Sequence, residues 1–460
     1  MLTGEQYLSS LDDERVTYLE GRRIKDLRAE PAFDVPARAI AAGYDRWYSP
    51  DPGATNPLVT APRSAEELRE RAEVIQEMDL ALNVTYQSLM TLRTAATRLR
   101  GVDRVFIDRL EAYVEDAMAA DIRIAECITD AKGNRALAPS KQSDPDAYVH
   151  VVDRRSDGVV IRGAKLHISA ASLCHDLLVM PTKSMKPGEE EYSITCAVPV
   201  ASPGVRVINT TYHPKGDDVR HYPVSSLSSM PDGFVVFDDV FVPHERVFLD
   251  GDAANAAVFA HSLGLWERLG GITFMVRQAD ELVGLAQLIA EANGLASVSH
   301  IREKIDEMAI HATLLRAGME AALVHAEATP EGYYYPNELY TNAAKYQGAA
   351  EFNRMVRHLH DIAGGAVLTA PSIGDLENPE TRDDVQKYMG TNTDVSAEDR
   401  LRLFHAIRDL TADSFGGWHL VTNLQSGGGL FAQRLVTRRH YDMGRAKAIA
   451  REAAGITVNE

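Results

Sequence analysis

The spacing of apolar side chains divides the chain into a helical, a strand-rich and a second helical stretch. Apolar residues recur at helical intervals from Ser64 to about Arg100, which predicts an amphipathic helix. The first 62 residues are rich in proline and are expected to form mostly loops. A second helix is predicted from Gly101 to near Thr129–Gly133, with apolar positions at Val102, Phe106, Leu110, Val114 and Met118.

Beyond these helices, apolar residues recur at every second position instead. Two such segments, Ala147–Asp153 and Gly158–Gly163, flank the dipeptide Asp157-Gly158, which is a strong β-hairpin signal. Short strands at regular spacing predict a small antiparallel barrel or sandwich that extends to about Val247. Its further segments are bounded by glycine, proline or charged residues: LLVMP, YSITCAVPV, GVRVI and GFVVFDDVFVP.

Helical periodicity returns at Ala253 and continues to the end of the chain. Four or five long amphipathic helices predict a bundle, and apolar stripes on more than one face predict self-association. The first stripe comprises Met275, Ala279, Leu282, Ala286 and Ile289. The predicted fold class is α+β, with a mainly helical N-terminal domain, a β-barrel domain and a C-terminal helical bundle that is also the oligomerisation domain, at 1–138, 139–252 and 253–460.

Charge and composition narrow the classes of partner. The 460 residues carry 48 Lys and Arg against 66 Asp and Glu, which is a formal net charge of −18. This balance argues against a nucleic-acid partner and against an anionic membrane surface. No apolar run approaches the roughly 18 residues of a membrane-spanning helix, and the N-terminus has no secretory signal pattern. A cytoplasmic location is therefore expected.

Several binding and catalytic signatures are missing from the sequence. No GxGxxG follows a strand, and the Walker A, HExxH and GxSxG motifs are absent. The fifteen histidines form no ligand pattern, so no metal site is predicted. Cys127, Cys174 and Cys196 are 47 and 22 residues apart, a spacing that fits neither a CxxC pair nor an iron–sulfur cluster.

Six segments of the sequence resemble one flavoprotein family. They are TGEQYLSSLDDERVTYLEGRRIKDLRAEPAF, DAKGNRALAPS, SDGVVIRGAK, FVVFDDVFVPHERVFL, DIAGGAVLTAPS and SFGGWHLVTNLQSGGG. With the helical–β–helical order, they make the chain similar to the 4-hydroxyphenylacetate 3-monooxygenase and 4-hydroxybutyryl-CoA dehydratase family. The resemblance implies an acyl-CoA-dehydrogenase-like fold, FAD as the cofactor and a homotetramer.

Two chemistries occur in this family, and cysteines discriminate between them. The dehydratase branch binds an iron–sulfur cluster through a Cys-x3-Cys pair, a His and a further Cys. The corresponding stretches here, Asn83–Arg93 and Trp266–Asp280, contain no Cys and no His, so the thiolate ligands that a cluster needs are lacking. No iron–sulfur cluster is therefore predicted.

The resemblance then implies the oxygenase component of a two-component monooxygenase. Reduced FAD from a separate flavin reductase and O2 would hydroxylate an aromatic or phenolic substrate. The alternative is a cluster-free, FAD-dependent acyl-thioester dehydrogenase or isomerase, with Glu126 or Glu267 as the base.

The resemblance also places the flavin contacts. A turn at Ile128–Arg135 would face the isoalloxazine ring, small residues at His167–Ser172 would donate to it, and glycines would approach the pyrophosphate. The alternatives are a helix C-cap, an ordinary strand end and ordinary glycine turns. The predicted cofactor-binding residues are Thr129, Asp130, Arg135, Ser169, Ser172, Gly364, Gly365, Gln425 and Gly428.

The substrate side differs from the hydroxyphenylacetate hydroxylases. Those enzymes use an Arg and a Tyr four residues apart, and a His just before the flavin turn. In this chain no such Arg–Tyr pair occurs on the Leu80–Arg100 helix. The position of the His falls near Glu126. Tyr86 and Arg93 are seven apart and share a helical face. The predicted catalytic residues are Arg93, Tyr86 and Glu126, against the alternative that Tyr86 is core and Arg93 is surface.

Overall fold

The N-terminal third is helical and carries one short hairpin. The computed structural model describes residues 1–216, 218–391 and 395–456. The elements of this third are α1 (Gly4–Ser10), β1 (Thr17–Leu19), β2 (Arg22–Ile24), α2 (Pro31–Trp47), α3 (Ala65–Ile75), α4 (Leu80–Arg98) and α5 (Arg104–Ala119).

Three expectations for this third need correction. The first 62 residues are not mostly loop, since they include the long helix α2. Pro31 occupies the first position of α2, where proline suits a helix, and a stripe of buried side chains packs the remainder of this helix against the core. The helix expected from Ser64 to Arg100 is two helices, and the side chain of Asp79 caps the second. The next helix ends at Ala119, because Asp121 adopts a left-handed conformation (φ 52°) and a strand follows.

The middle third contains most of the strands. They are β3 (Ile124–Cys127), β4 (His150–Arg154), β5 (Gly158–Ser169), β6 (Asp176–Val179), β7 (Ile194–Pro199) and β8 (Val205–Thr210), then α6 (Ser225–Ser228), β9 (Asp232–Pro243) and β10 (Val247–Asp250). The hairpin predicted at Asp157-Gly158 is confirmed, because β4 and β5 pair as antiparallel neighbours across it. The four later segments also form strands.

The predicted closed barrel is not found among the described residues. Six strands form one sheet in the order β2-β1-β8-β9-β5-β4, and four form another in the order β10-β7-β6-β3. Two pairings are parallel, β1 with β8 and β3 with β6, which a purely antiparallel barrel does not allow. The two sheets pack face to face around a shared core that includes Ile161 and Cys196. Arginines on the edge strands β2 and β4 suit open edges.

The C-terminal part is the predicted helical bundle. Its elements are α7 (Ala256–Ala292), α8 (Ser299–Val324), β11 (Glu327–Ala328), β12 (Tyr334–Tyr335), α9 (Glu338–Ala363), α10 (Ala366–Thr369), α11 (Ile373–Glu377), α12 (Arg382–Met389), α13 (Ala397–Thr411), α14 (Ser414–Gln425), α15 (Leu430–His440) and α16 (Met443–Ala453). The stripe from Met275 to Ile289 is buried, as predicted. In the described part of the chain, no helix is both long and apolar enough to cross a membrane.

The predicted domain boundaries stay predictions, but the pairing of strands links the first two ranges. Strands β1, β2 and β3 belong to the first range by sequence and to the two sheets by hydrogen bonding. Helix α4 packs on β3 from one side and on α7 from the other. The layer between α4, β3 and α7 is therefore the place where all three parts of the chain meet.

Candidate active site

The outer face of β3 presents Glu126 to helix α4. Alternation along the strand turns Cys127 into the core between the sheets and turns Ile124 and Glu126 toward the helices. Two side chains one helical turn apart on α4 meet this strand. The hydroxyl of Thr85 accepts a hydrogen bond from the backbone amide of Ile124 at 2.9 Å, and the hydroxyl of Ser88 donates to Oε1 of Glu126 at 3.2 Å.

Helix α4 is unusual because its buried side is polar. Asn83, Gln87, Ser88 and Thr91 are all buried there, and Oδ1 of Asn83 and Oγ1 of Thr91 have no hydrogen-bond partner within the described chain. Buried polar atoms without partners are costly and mark places where a ligand or ordered water is expected. Gly270 of α7 faces this side so closely that a Cβ there would lie 2.1 Å from Nε2 of Gln87.

The environment of Glu126 favours its protonated form. Burial raises the pKa of this carboxyl group well above its usual value of 4.5, and the negative charge of Glu267 on α7 raises it further. The hydrogen bond from Ser88 acts in the opposite direction but is outweighed. A carboxyl group with a raised pKa beside unpaired polar atoms is the signature of an acid–base site.

Helices α7 and α9 each bury one cation. Lys345 of α9 is fully buried and donates to the carbonyl of Asn423 at 2.7 Å, and burial lowers the pKa of its amine to about 8. Arg268, also buried, donates to the carbonyl of Gly427 at 2.8 Å, and burial lowers its pKa as well. The negative charge of Glu267 raises the pKa of both groups against this effect.

These cations hold the segment after α14 against α7. Gly427 and Gly428 have φ of 70° and 80°, a conformation that disfavours other residues. A Cβ on Gly427 would lie 2.9 Å from Cγ of Arg268, so glycine is also required by packing. The segment SFGGWHLVTNLQSGGG is thus fixed against α7 and α9.

The turn after β3 is fixed by a buried ion pair. Nζ of Lys165 lies 2.8 Å from Oδ1 of Asp130, and both side chains are almost inaccessible to solvent. The same amine donates to the carbonyls of Ile128 and Met180 at 2.9 and 2.8 Å. Because the ion pair ties β5 to the turn, the backbone around the half-buried Thr129 is held rigidly beside Glu126.

Sequence models of one family match almost the whole chain. The model described as 4-hydroxyphenylacetate 3-hydroxylase N terminal matches residues 3–249, and the C-terminal model matches residues 255–455. The chain belongs to the 4-hydroxyphenylacetate 3-hydroxylase family.

Individual relatives come from both branches that the sequence resembles. The 4-hydroxybutyryl-CoA dehydratase/vinylacetyl-CoA-Delta-isomerase of Clostridium aminobutyricum is 27% identical over 99% of this chain and 100% of its own length. The 4-hydroxyphenylacetate 3-monooxygenase oxygenase component of Geobacillus sp. (strain PA-9) is 26% identical over 90% and 88%. A structure of such an oxygenase component complexed with FAD superposes with a TM-score of 0.86 at 23% identity, covering 99% of this chain and 100% of that one. That structure shares with this chain the mixed helical and sheet fold that the resemblance implies.

The three predicted catalytic residues have different surroundings. Tyr86 is fully buried, with its ring edge-on to Trp266 at 5.7 Å. Arg93 bonds the hydroxyl of Tyr333 at 3.1 Å and Glu115 at 2.7 Å. The enclosed volume beside Arg93 is about 10 Å³, which holds one water but no aromatic ring. Neither side chain hydrogen-bonds Glu126, and the buried hydroxyl of Tyr86 has no hydrogen-bond partner within the described chain. The catalytic roles of Tyr86 and Arg93 stay predictions, as does the alternative that Tyr86 belongs to the core.

The predicted flavin contacts near the turn have unequal surroundings. Thr129 is half-buried at the turn, and Arg135 is exposed. The carboxylate of Asp130 is occupied by Lys165, the amide of Val149 and the hydroxyl of Thr182. Asp130 therefore shapes the turn rather than offering a free side chain. All three assignments stay predictions.

The two predicted serines also differ. Ser169 donates to Oδ1 of Asp232 at 2.5 Å, and Oδ2 of the same carboxylate accepts from Tyr212 and from Trp418 of α14, each at 3.0 Å. Ser169 thus lies where the sheet meets the bundle. Ser172 is fully buried within the β domain, where its hydroxyl bonds Asn209, so its position favours a structural role.

The remaining predicted contacts lie at exposed ends of helices in the bundle. Gly364, with φ of 79°, and Gly365 are exposed, and a Cβ on either would meet nothing within 4 Å. Gln425 and Gly428 are exposed at the end of α14. Because this chain alone does not surround these positions, their roles as flavin contacts stay predictions.

Sequence reasoning missed three residues of the site, Ser88, Arg268 and Lys345. A signal for Ser88 was present in the polar residues that interrupt the apolar stripe of α4. Lys345 and Arg268 gave none, because a single cation on an amphipathic helix is normally solvated. Only the packing of α9 and α14 on α7 shows that they are buried.

Proposed function

We propose that this chain is the oxygenase component of a two-component, FAD-dependent monooxygenase that hydroxylates an aromatic or phenolic substrate. The observation that carries the proposal is Glu126, a carboxyl group of raised pKa that is held by Ser88 directly before the rigid turn. Family membership and relatives named as monooxygenase oxygenase components support it. The wall formed by α4 and α7 has no cysteine, which disfavours cluster chemistry.

The residues around the turn fit FAD. Thr129 and Ser169 are small, polar and partly accessible, as the edge of a flat ring requires. Oδ1 of Asn83 and Oγ1 of Thr91 are buried acceptors still without a partner. When bound in its reduced form, FAD supplies the electrons that let O2 deliver one oxygen atom to the ring of the substrate.

The contribution of the protein to that reaction is a proton transfer. Attack on the ring position beside the hydroxyl group is favoured when the phenol loses its proton. Because its surroundings favour the protonated form, Glu126 in the proposal first loses its own proton to solvent. Its carboxylate then accepts the proton of the phenol O–H bond, which breaks as the new O–H bond on Glu126 forms. A raised pKa brings Glu126 closer to the phenol value of about 10, so the transfer is less unfavourable than to an ordinary carboxylate.

The partners proposed are a separate flavin reductase and further copies of this chain. An oxygenase component by definition receives reduced flavin from outside. A homotetramer is proposed because the family resemblance implies it. Apolar side chains exposed on the C-terminal helices support association, among them Val421, Phe431 and Leu435. A cytoplasmic location, the three-domain division and FAD contacts shared between copies belong to the same proposal.

The test is hydroxylation by the full-length protein. The protein is supplied with reduced FAD, O2 and a panel of free, carrier-bound and CoA-bound phenols, and the products are identified by mass spectrometry. A product one oxygen atom heavier, with the atom from ¹⁸O2, is expected. Anaerobic bleaching of bound oxidised FAD by an acyl-CoA, without any oxygenated product, would instead support the acyl-thioester dehydrogenase or isomerase that the dehydratase relative suggests.

A further inference from the structure

We propose that Asp232 is a positioning residue that fixes the hydroxyl of Ser169 as a hydrogen-bond acceptor toward FAD, so that the site prefers the reduced flavin. The inference rests on the proposed function, because it takes Ser169 as a flavin contact. It goes beyond that function by assigning the selection of the reduced cofactor to a pair of side chains, one on β5 and one on β9.

Strand pairing places Asp232 and Ser169 opposite each other in the larger sheet. Asp232 is the first residue of β9 and pairs in register with Ser169, the last residue of β5. Side chains of directly opposed residues in an antiparallel pair lie on the same face of the sheet. Oγ of Ser169 lies 2.5 Å from Oδ1 of Asp232, which is the short separation of a hydroxyl group bound to a carboxylate.

The other oxygen of Asp232 is held by two donors from distant parts of the chain. Oδ2 accepts from the hydroxyl of Tyr212 and from Nε1 of Trp418 on α14, each at 3.0 Å. An indole N–H can only donate. Burial and the negative charge of Asp232 raise the pKa of Tyr212, so its phenol keeps the proton that it donates.

These contacts decide which group owns the proton of the short bond. Two donors on one oxygen stabilise the ionised form of Asp232. An ionised carboxylate can only accept hydrogen bonds, so the proton between Asp232 and Ser169 belongs to the serine. The polarity of the bond is thus set by groups outside the strand pair.

Aromatic packing keeps these donors in place. The rings of Tyr212 and Trp418 lie 5.7 Å apart, and Trp418 stacks on Phe415 of the same helix at 5.4 Å. Phe415 belongs to the core of the C-terminal bundle. Because both oxygens of Asp232 are bonded and its donors are packed, the carboxylate is held in the orientation that binds Ser169.

A committed proton leaves Ser169 able only to accept from a ligand. A serine hydroxyl has a single proton and two lone pairs, and the partly accessible Ser169 still has a lone pair to offer. The ring of oxidised FAD has bare nitrogen acceptors at positions that carry N–H groups after reduction. Ser169 therefore matches the reduced ring, whereas the oxidised ring would oppose one acceptor to another.

The test compares the affinities of the full-length protein for oxidised and reduced FAD. Dissociation constants are measured without O2 or an aromatic substrate, by flavin fluorescence for the oxidised form and with dithionite-reduced FAD for the other. The wild type should bind reduced FAD more tightly. In Asp232→Asn, Tyr212 and Trp418 bind the amide oxygen, so the NH2 group faces Ser169 and frees its proton for the oxidised ring.

The preference for reduced FAD should then fall about tenfold. The reduction potential of the bound cofactor should fall by about 30 mV, since a tenfold change corresponds to that shift for two electrons. Loss of a negative charge alone would favour the electron-rich reduced ring and would act in the opposite direction. The sign of the change therefore separates hydrogen-bond polarity from charge.

Three further variants complete the comparison. Asp232→Glu keeps an acceptor at this position and should retain the preference. Tyr212→Phe removes one donor to Asp232 but leaves its bond to Ser169, so the preference should stay within about twofold of the wild type. Ser169→Ala should weaken the binding of reduced FAD alone, and it decides the matter if circular dichroism shows Asp232→Asn to be unfolded.

The inference is overturned if the wild type has no preference, if folded Asp232→Asn keeps or increases it, or if Ser169→Ala leaves it unchanged. Because the affinities need no turnover, the expected set of values without any hydroxylated product would refute the proposed function alone. Hydroxylation by a protein whose preference does not respond to these variants would refute only the role of Asp232. Failure to bind either form of FAD would refute both.

Discussion

Within the described chain, the half-buried carboxyl group of Glu126 has no ion pair, and its desolvation has a cost that depends on pH. Its pKa is higher in the folded chain than the usual 4.5, so the folded state binds more protons than the unfolded state above that pH. Stability therefore falls as pH rises from the unfolded pKa to the folded one. The contribution is fully present below about pH 4.5 and is lost as pH rises through the folded pKa.

Glu126→Gln removes this penalty and keeps the shape of the side chain. We expect the variant to melt at higher temperature than the wild type, with a difference that grows as pH rises above about 4.5 and levels off above the raised folded pKa of Glu126. We also expect its kcat for hydroxylation to fall by on the order of 10². Differential scanning calorimetry across the pH range and single-turnover assays measure the two effects. A pH-independent difference in melting temperature would contradict the assignment.

For the buried ion pair of Lys165 and Asp130, removing the negative charge is expected to destabilise the protein, whereas removing that of Glu126 is expected to stabilise it. Asp130→Asn leaves the lysine charged and without its partner between β5 and the turn. Breaking a buried ion pair in this way costs about 3–5 kcal/mol. Urea unfolding of the variant should show a loss of that size.

A matched control is the exposed pair Arg206–Asp238 on neighbouring strands, at 3.0 Å. Because water screens exposed pairs, Asp238→Asn should cost less than about 1 kcal/mol. Equal losses in the two variants would mean that the ion pair at the turn is not desolvated. The turn would then not be the rigid support for FAD proposed above.

At the scale of elements, α7 packs against the polar side of α4 at a glycine that has no free space for a Cβ. A Cβ on Gly270 would lie 2.1 Å from Nε2 of Gln87. Gly270→Ala must displace the terminal amide of Gln87 or push the helices apart. Because that amide is the flexible end of its side chain, we expect a cost of about 1 kcal/mol, the lower end for overpacking. It should also weaken FAD binding, because the polar side of α4 shifts. Urea unfolding and a fluorescence titration with FAD measure these effects.

The same helix provides the control for this prediction. Gly284 lies in α7 with nothing within 4 Å of a Cβ. Gly284→Ala should therefore stabilise the protein by up to about 1 kcal/mol through helix propensity alone, with FAD affinity unchanged. If both substitutions stabilise, close approach of α4 and α7 does not limit the packing of the site.

The elements also show what the sequence can predict. Strands with strict alternation and helices with long buried stripes were predicted correctly, because local pattern determines them. The ends were not: the switch from α5 to β3 depends on the left-handed Asp121, and α2 begins at a proline that suggested a loop. The closed barrel was wrong because parallel pairing of β3 with β6 depends on contacts far apart in sequence.

In the candidate site, too, some residues could be predicted from the sequence and others could not. Glu126 was named from the sequence because it falls near the His position of the hydroxyphenylacetate hydroxylases, and Glu267 was named only as a base for the alternative thioester reaction. Lys345 and Arg268 were not, since their burial comes from helices α9 and α14 that pack on α7. Tyr86 and Arg93 share a helical face, as predicted, but that face contacts Trp266 and Tyr333 instead of Glu126. Periodicity gives the direction of a side chain, and tertiary packing decides what it meets.

At the scale of the whole molecule, the C-terminal helices are the part least covered by this chain. Phe431 and Leu435 lie one turn apart on α15 and are 73% and 49% exposed, and Val421 on α14 is 58% exposed. Isolated apolar side chains on a surface are ordinary, but several on adjacent helices mark an interface. The exposed glycines Gly364 and Gly365 lie in the same bundle. This arrangement is what FAD contacts shared between copies of the chain require.

Phe431→Ser tests the assembly. Burial of a phenylalanine side chain contributes about 1.5–3 kcal/mol, so the loss in each copy should raise the dissociation constant of the assembly at least about tenfold. Sedimentation velocity over a range of concentrations should show smaller species than in the wild type. If subunits share the cofactor, FAD affinity falls in parallel with dissociation and recovers at high protein concentration.

A control substitution at a second exposed apolar residue tests whether the effect is specific to the proposed interface. Leu227 on α6 is 65% exposed but belongs to the strand-rich part of the chain. Leu227→Ser should leave both sedimentation and FAD affinity unchanged. Loss of FAD affinity in Phe431→Ser without dissociation would place α15 in the binding site of its own chain. Dissociation without loss of affinity would show that each chain binds FAD alone, and the exposed glycines would then need another explanation.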